Sequence, residues 1–105
     1  MELLTPELRA KLPKLYSQER RSDPTVHLKF FFPAGNWTWF VTEGEPDGDD
    51  FIFFGFVIGH EEEWGYFSLS ELESIDVHGL RVERDLYFEP SNFKQALDQF
   101  RKERE

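Results

Sequence analysis

Phe51-Ile52-Phe53-Phe54-Gly55-Phe56-Val57-Ile58 is the longest apolar run of the chain, and its reading decides the fold. Four of these residues are Phe and none is charged. Such a run reads as a strand with apolar side chains on both faces, which needs paired strands beside it and cover above and below. It is therefore expected at the centre of a sheet. Upstream lies Trp37-Thr38-Trp39-Phe40-Val41-Thr42-Glu43 and downstream Trp64-Gly65-Tyr66-Phe67-Ser68, each joined to the run by five to seven residues rich in acidic side chains and Gly. Connections this short favour an antiparallel meander, because a parallel crossover needs a dozen residues or more.

Working outward, Val26 to Phe32 reads as the first strand, and Pro33-Ala34-Gly35-Asn36 supplies the turn that pairs it with Trp37 to Glu43. Thr5-Pro6-Glu7 is a helix start, with Leu4, Leu8, Leu12 and Leu15 as its apolar stripe and Pro13 as its stop. Ser17 to Pro24 contains no apolar residue except its terminal Pro and reads as a solvated loop. Ser68-Leu69-Ser70-Glu71 is a capping box that begins a short helix ending near Ser74. His78-Gly79 makes a turn, and Arg81 to Phe88 reads as an edge strand whose charges guard it against aggregation. Ser91 or Asn92 then caps a last helix in which Phe93, Ala96, Leu97 and Phe100 form one stripe. The expected fold is α+β: a four- or five-stranded, mainly antiparallel meander sheet, with a short N-terminal helix, a short helix after the fourth strand and a C-terminal helix packed on it. With 105 residues the chain is expected to form a single domain, 1–105.

Charge is unevenly placed. Glu43 to Asp76 carries 11 acidic residues and no Lys or Arg, so this segment contributes −11 to a net charge of −9 and the flanks contribute +2. A negative field of this kind disfavours nucleic acid and anionic lipid and favours basic surfaces. Cysteine is absent, which excludes disulfides, thiolate chemistry and Cys-ligated zinc and fits a reducing cytoplasm. The N-terminus lacks the features of a signal peptide, and no apolar stretch approaches membrane-span length, so a cytoplasmic location is expected. With 12 Phe, 3 Trp and 3 Tyr, the core accounts for most aromatics, but one sheet and thin helices leave some of them for a partner surface.

Few residues point to chemistry. Asp47, Asp49 and Asp50, with Glu43 and Glu45, offer clustered carboxylates but lack the ligand spacing of a calcium loop. His60-Glu61-Glu62-Glu63 lacks the second His of a metalloprotease pair and lies in an expected turn. No phosphate loop, nucleophile elbow or triad is present, so no catalytic residue, metal ligand or cofactor is assigned. Glu83-Arg84-Asp85 is read as a structural ion pair, an Arg flanked by carboxylates fixing a loop.

Leu4-Thr5-Pro6-Glu7-Leu8, Lys29-Phe30-Phe31 with Pro33, Thr38-Trp39 with Glu43, Phe54-Gly55, Gly65 to Leu72, and Glu83 to Phe88 together resemble the bacterial DUF2958 proteins over nearly the whole chain. That resemblance implies a small bacterial protein of unassigned function, often encoded on plasmids and other mobile elements, and it implies no site residues. The aromatic density of Phe51 to Phe56 departs from the family's pattern. The expected role is a non-enzymatic interaction module that binds a basic protein surface through Glu45, Asp47, Asp49, Asp50, His60, Glu61, Glu62 and Glu63. A sharper version is an inhibitor whose carboxylate stripe occupies the phosphate track of a DNA-binding protein. The alternatives are a small metal-dependent hydrolase using Asp47, Asp49, Asp50, His60 or Glu61, or a homodimeric scaffold burying its surplus aromatics; the oligomeric state stays open.

Overall fold

The computed structural model describes residues 1–104. In chain order the elements are α1 (Pro6–Lys11), β1 (Thr25–Val26), β2 (Leu28–Phe31), β3 (Thr38–Asp47), β4 (Asp50–Ile58), β5 (Glu62–Ser68), α2 (Leu69–Ser74), β6 (Asp76–Val77), β7 (Leu80–Arg81), β8 (Glu83–Arg84), β9 (Ser91–Asn92) and α3 (Phe93–Glu103). The main sheet is antiparallel with strand order β5-β4-β3-β2-β8, an uninterrupted meander extended by β8 at the far edge. The α+β class and the meander agree with the sequence reading. The centre does not: β8 adds a strand beyond β2, which moves the middle of the sheet from β4 to β3. The first seven residues of β3, Thr38 to Gly44, are all buried.

Both faces of the sheet are covered. Phe30, Trp39, Val41, Phe51, Phe53 and Phe67 meet Leu4, Leu12, Leu69 and Leu72 on the side of α1 and α2. On the other side Phe40, Phe56 and Ile58 meet Ala96 and Phe100 of α3. Side chains alternate along a strand, so Phe51 and Phe53 of β4 serve one core while Phe56 and Ile58 serve the other. A fully buried Phe contributes about 2–3 kcal/mol, so Phe30, Phe40, Phe51 and Phe53 dominate the hydrophobic driving force.

The helix starts are set as their sequences require. Thr5 caps α1 by accepting from the Leu8 N–H at 3.3 Å, and Ser68 caps α2 by accepting from Glu71 at 3.2 Å. The start of α3 differs from expectation. Asn92 occupies the cap position but makes no side-chain cap bond. The Lys94 N–H instead donates to the Asp23 carboxylate at 2.9 Å and the Phe93 N–H to the Pro24 carbonyl at 2.8 Å. A segment read as solvated loop thus orients the last helix.

Three further boundaries move. The acidic stretch after Glu43 is not a loop: β3 continues to Asp47 and β4 begins at Asp50, leaving Gly48 and Asp49 as a two-residue turn with Gly48 at φ +58. Arg81 to Phe88 splits, because Leu80–Arg81 returns on Asp76–Val77 about a His78-Gly79 turn, and only Glu83–Arg84 joins the sheet. Finally, β3 carries a bulge. Val41 pairs with Gly55 and Glu43 with Phe54, so Thr42 is the extra residue. This kink presses the β3 backbone against β4, and a Cβ on Gly55 would sit 1.9 Å from the Phe40 carbonyl oxygen. Gly55→Ala is expected to cost about 3 kcal/mol or more, the upper range for overpacking, measured by urea unfolding at equilibrium; a loss below about 1 kcal/mol would show that the bulge relaxes freely.

Candidate functional site

The bulge at Thr42 decides which side chains share a face. Upstream of it, Phe40 faces α3; downstream, Glu43, Glu45 and Asp47 take that face, opposite Phe54, Ile52 and Asp50 of β4. Trp64 and Tyr66 of β5 lie beside Phe56 and Phe54 on the same side. Of the three β3 carboxylates on this face, Glu43 alone lies beside the aromatic group, opposite Phe54, while Glu45 and Asp47 lie opposite Ile52 and Asp50. Along the strand these side chains are spaced roughly 7 Å apart, as on any strand face.

Two of those three carboxylates are committed to the fold. Glu43 is buried, and its two oxygens accept from the Tyr16 and Gln18 N–H groups, each at 2.7 Å. Glu45 accepts from the Leu15 N–H at 3.0 Å. Charge-assisted bonds of this kind are about twice as strong as neutral ones, and here they replace an apolar anchor for residues 13–18. Gln18 completes the clasp: its amide donates to the Thr25 and Thr42 carbonyls at 2.9 and 2.8 Å and accepts from the Thr25 N–H at 2.8 Å. Nothing in the polar run Ser17 to Pro24 singled out Gln18 as a buried residue; the one signal available was Glu43, a lone acid closing an otherwise apolar strand.

The clasp fixes Tyr16 in the left-handed region at φ +72, which a tyrosine adopts at a cost of about 1–2 kcal/mol. Strain of this kind persists only where the surroundings over-determine it. It places Tyr16 edge-on to Tyr66, with ring centroids 6.4 Å apart, and Phe54 packs on Tyr66 at 4.9 Å and on Trp64 at 5.8 Å. Tyr16, Tyr66 and Trp64 remain 61, 50 and 40% exposed. Residues 18–24 flank a groove of about 280 Å³ whose other wall is Phe54 and Trp64 and whose floor is Thr42 and Glu43. The neighbouring Tyr16 hydroxyl, then desolvation, and then the carboxylates of Glu43 and Glu19 push the Tyr66 phenol up to about 12. The shelf is thus aromatic, has the carboxylates of Glu19 and the buried Glu43 beside it, and carries Arg21 at its rim, where that guanidinium is held by Gln18 and Thr25.

The other acidic residues expected at a site are dispersed. Asp47, Asp49 and Asp50 lie at the β3–β4 turn and His60 to Glu63 at the β4–β5 turn, at opposite ends of the nine-residue β4, roughly 27 Å apart. Asp50 accepts from the Ser70 N–H at 3.1 Å and binds its hydroxyl, and these bonds together with the Phe51 N–H hold its carboxyl below the usual range. Glu62 pairs with Arg101 at 2.8 Å, and His60 stands edge-on to Trp37 at 5.5 Å. Asp47, Asp49, Glu61 and Glu63 are exposed and form no ion pair among the described residues. Among those residues, no three His, Asp or Glu side chains are grouped so as to hold a metal ion.

The Glu83-Arg84-Asp85 triplet is corrected. Arg84 pairs with neither neighbour: its guanidinium donates to the Glu2 and Leu3 carbonyls at 2.6 and 3.0 Å, tying the N-terminal segment to the sheet edge. Asp85 pairs instead with Lys29 at 3.4 Å, whose ammonium is largely buried over the Phe40 and Phe100 rings at 5.9 and 5.7 Å. Adjacent strands, unlike adjacent residues, bring these two charges to one face. A cleft of about 390 Å³ between α1 and residues 84–90 includes Lys29, Arg84 and Asp85, but their charges are already satisfied within the protein.

Glu43→Gln sets an amide N–H₂ against a backbone donor, and a loss of about 2 kcal/mol is expected in urea unfolding, with the Tyr16–Tyr66 contact loosened. Burial and then Arg21 lower the pKa of His27 below 6.5, so its folded-state proton is bound more weakly than its unfolded-state one. The stability it contributes is complete above the unfolded value and is lost as pH falls through the folded value. Stability should therefore fall as pH drops below about 6.5, and fall less in His27→Gln, read as the pH dependence of the unfolding midpoint.

No curated protein and no solved structure matches the chain. The family model described as DUF2958, protein of unknown function, matches residues 3–101, and the chain belongs to that family.

Proposed function

We propose that this protein is a non-enzymatic interaction module of the bacterial cytoplasm that binds a basic protein segment on the shelf formed by Tyr16, Phe54, Trp64 and Tyr66. The observation that carries this reading is an exposed aromatic group with the unpaired carboxylate of Glu19 beside it. Lys and Arg side chains are attracted both to ring faces and to anions, and an aromatic face presented beside negative charge selects for them. Glu19 lies beside the shelf, near enough for its charge to act on the Tyr66 phenol, and has no ion-pair partner among the described residues. Among the described residues, no helix is long and apolar enough to cross a membrane.

The geometry disfavours the sharper version, mimicry of a nucleic acid backbone. A mimic presents its carboxylates outward, whereas Glu43 and Glu45 turn theirs onto residues 15–18. Recognition then rests on aromatic contact, with charge supplying attraction from a distance. The metal-dependent hydrolase has no support in the placement of Asp47, Asp49, Asp50, His60 and Glu61, which β4 holds apart at its two ends.

A fluorescein-labelled peptide of alternating Arg and Ala, titrated with the protein, tests this. Affinity is expected to fall as salt rises from about 50 to 300 mM, as for any pair of exposed opposite charges. Tyr66→Ala should weaken binding by roughly threefold to tenfold, the worth of a cation–π contact, and Asp47→Asn with Asp49→Asn by less. Equal affinity for wild type and Tyr66→Ala would sink the shelf as the site, and binding indifferent to salt would sink the basic partner.

A further inference from the structure

The two edges of the sheet are treated differently. At one, β8 is only two residues long, and the Arg84 N–H is taken by the Met1 sulfur at 3.1 Å. At the other, β5 runs for seven residues, and no strand among the described residues lies on its outer side. A long edge of this kind offers a row of backbone donors and acceptors to another strand. Its charges are confined to Glu62 and Glu63 at one end, while Trp64 and Tyr66 lie exposed on either side of Gly65.

That arrangement is self-complementary. Gly65 is the middle residue of β5, and an antiparallel copy related by a two-fold axis through it, normal to the sheet, sets each residue against its mirror position. Trp64 then faces Tyr66 of the partner subunit, an aromatic cross-strand pair made twice. Glu63 falls opposite Phe67 of the partner subunit and Glu62 opposite Ser68 of the partner subunit, so no carboxylate faces another. Gly65 itself leaves the centre open, for nothing lies within 4 Å of where its Cβ would be. Moving the two-fold axis by two residues, from Gly65 to Glu63, would instead set Glu63 directly against Glu63 of the partner subunit.

We propose that β5 pairs with β5 of a second copy about a two-fold axis at Gly65, joining two sheets of five strands into one and the two aromatic shelves into a continuous strip. The proposal stands on the edge and its symmetry and does not depend on what the shelf binds. With −9 on each copy, association works against mutual repulsion, so added salt strengthens it, opposite to the effect expected for a basic ligand.

Sedimentation velocity of the full chain over a range of concentrations, at about 50 and 500 mM NaCl, tests the proposal together with Gly65→Lys and Gly65→Glu. Wild type is expected to dimerise, more tightly at high salt. Each variant alone brings like charges together at the axis and should dimerise at least roughly tenfold more weakly, and an equimolar mixture of the two should recover the dimer as a Lys–Glu heterodimer. Unfolding melts that match wild type confirm that the variants are folded, and a mixture that recovers the dimer shows it independently. A wild type that stays monomeric at all concentrations and both salts overturns the proposal. So does a dimer that both variants retain, which would place the interface elsewhere. A monomeric Gly65→Lys that still binds the Arg–Ala peptide leaves the shelf reading intact.

Discussion

The carboxylate of Glu43 is the interaction on which the rest of the molecule leans. It is buried at the middle of the sheet, where an acid is costly unless its oxygens are satisfied, and both are satisfied by backbone N–H groups of a segment that has almost no apolar side chain of its own. The relation is reciprocal. Residues 13–24 have too little hydrophobic surface to hold a conformation unaided, and Glu43 has no other donor among the described residues. Once that segment is fixed, Tyr16 is fixed, the groove against Phe54 and Trp64 acquires its second wall, and Asp23 and Pro24 receive the start of α3. The helix that covers the second core is thus positioned from the far side of the same clasp.

None of this would occur without the extra residue at Thr42. In a regular strand Glu43 would share a face with Trp39 and Val41 and point into the core under α1 and α2. The bulge inverts that parity, and every side chain after it exchanges faces. The cost is borne at Gly55, where the inverted backbone leaves no room for a Cβ, and the same kink lets Thr42 donate its hydroxyl to the Phe54 carbonyl at 3.2 Å. A single inserted residue separates an apolar half of β3 from an acidic half, so one strand serves both a core and a surface.

The parts of this architecture that depend on local periodicity were legible in the amino-acid sequence. Phe51 to Ile58 reads as a two-faced strand because its apolar residues occupy both parities, and the caps at Thr5 and Ser68 are local bonds spanning three residues. What was not legible depends on pairing between distant residues. The bulge leaves no mark in Trp39-Phe40-Val41-Thr42-Glu43, since alternation and its inversion are indistinguishable where both faces are apolar. Asp23 caps a helix 71 residues away, and Asp85 finds Lys29 across a strand pair and not the Arg84 beside it. Acid clustering in sequence misled for the same reason: β4 is a rigid spacer, and residues close in number at its two ends are far apart in space.

That spacing bears on how the charge acts. Two acidic turns roughly 27 Å apart lie beyond about three Debye lengths at physiological ionic strength, so they do not sum into one patch for a ligand touching either. The segment's −11 acts instead as a field, felt by an approaching cationic surface and weakened by salt, and it confers no contact specificity. Specificity has to come from groups that make contact, and on this face those are the rings of Tyr16, Phe54, Trp64 and Tyr66, held by a strained backbone and by bonds to buried carboxylates. The acids that shape the shelf are those withdrawn from solvent; under the proposed function, the acids left in solvent would steer a basic partner toward it.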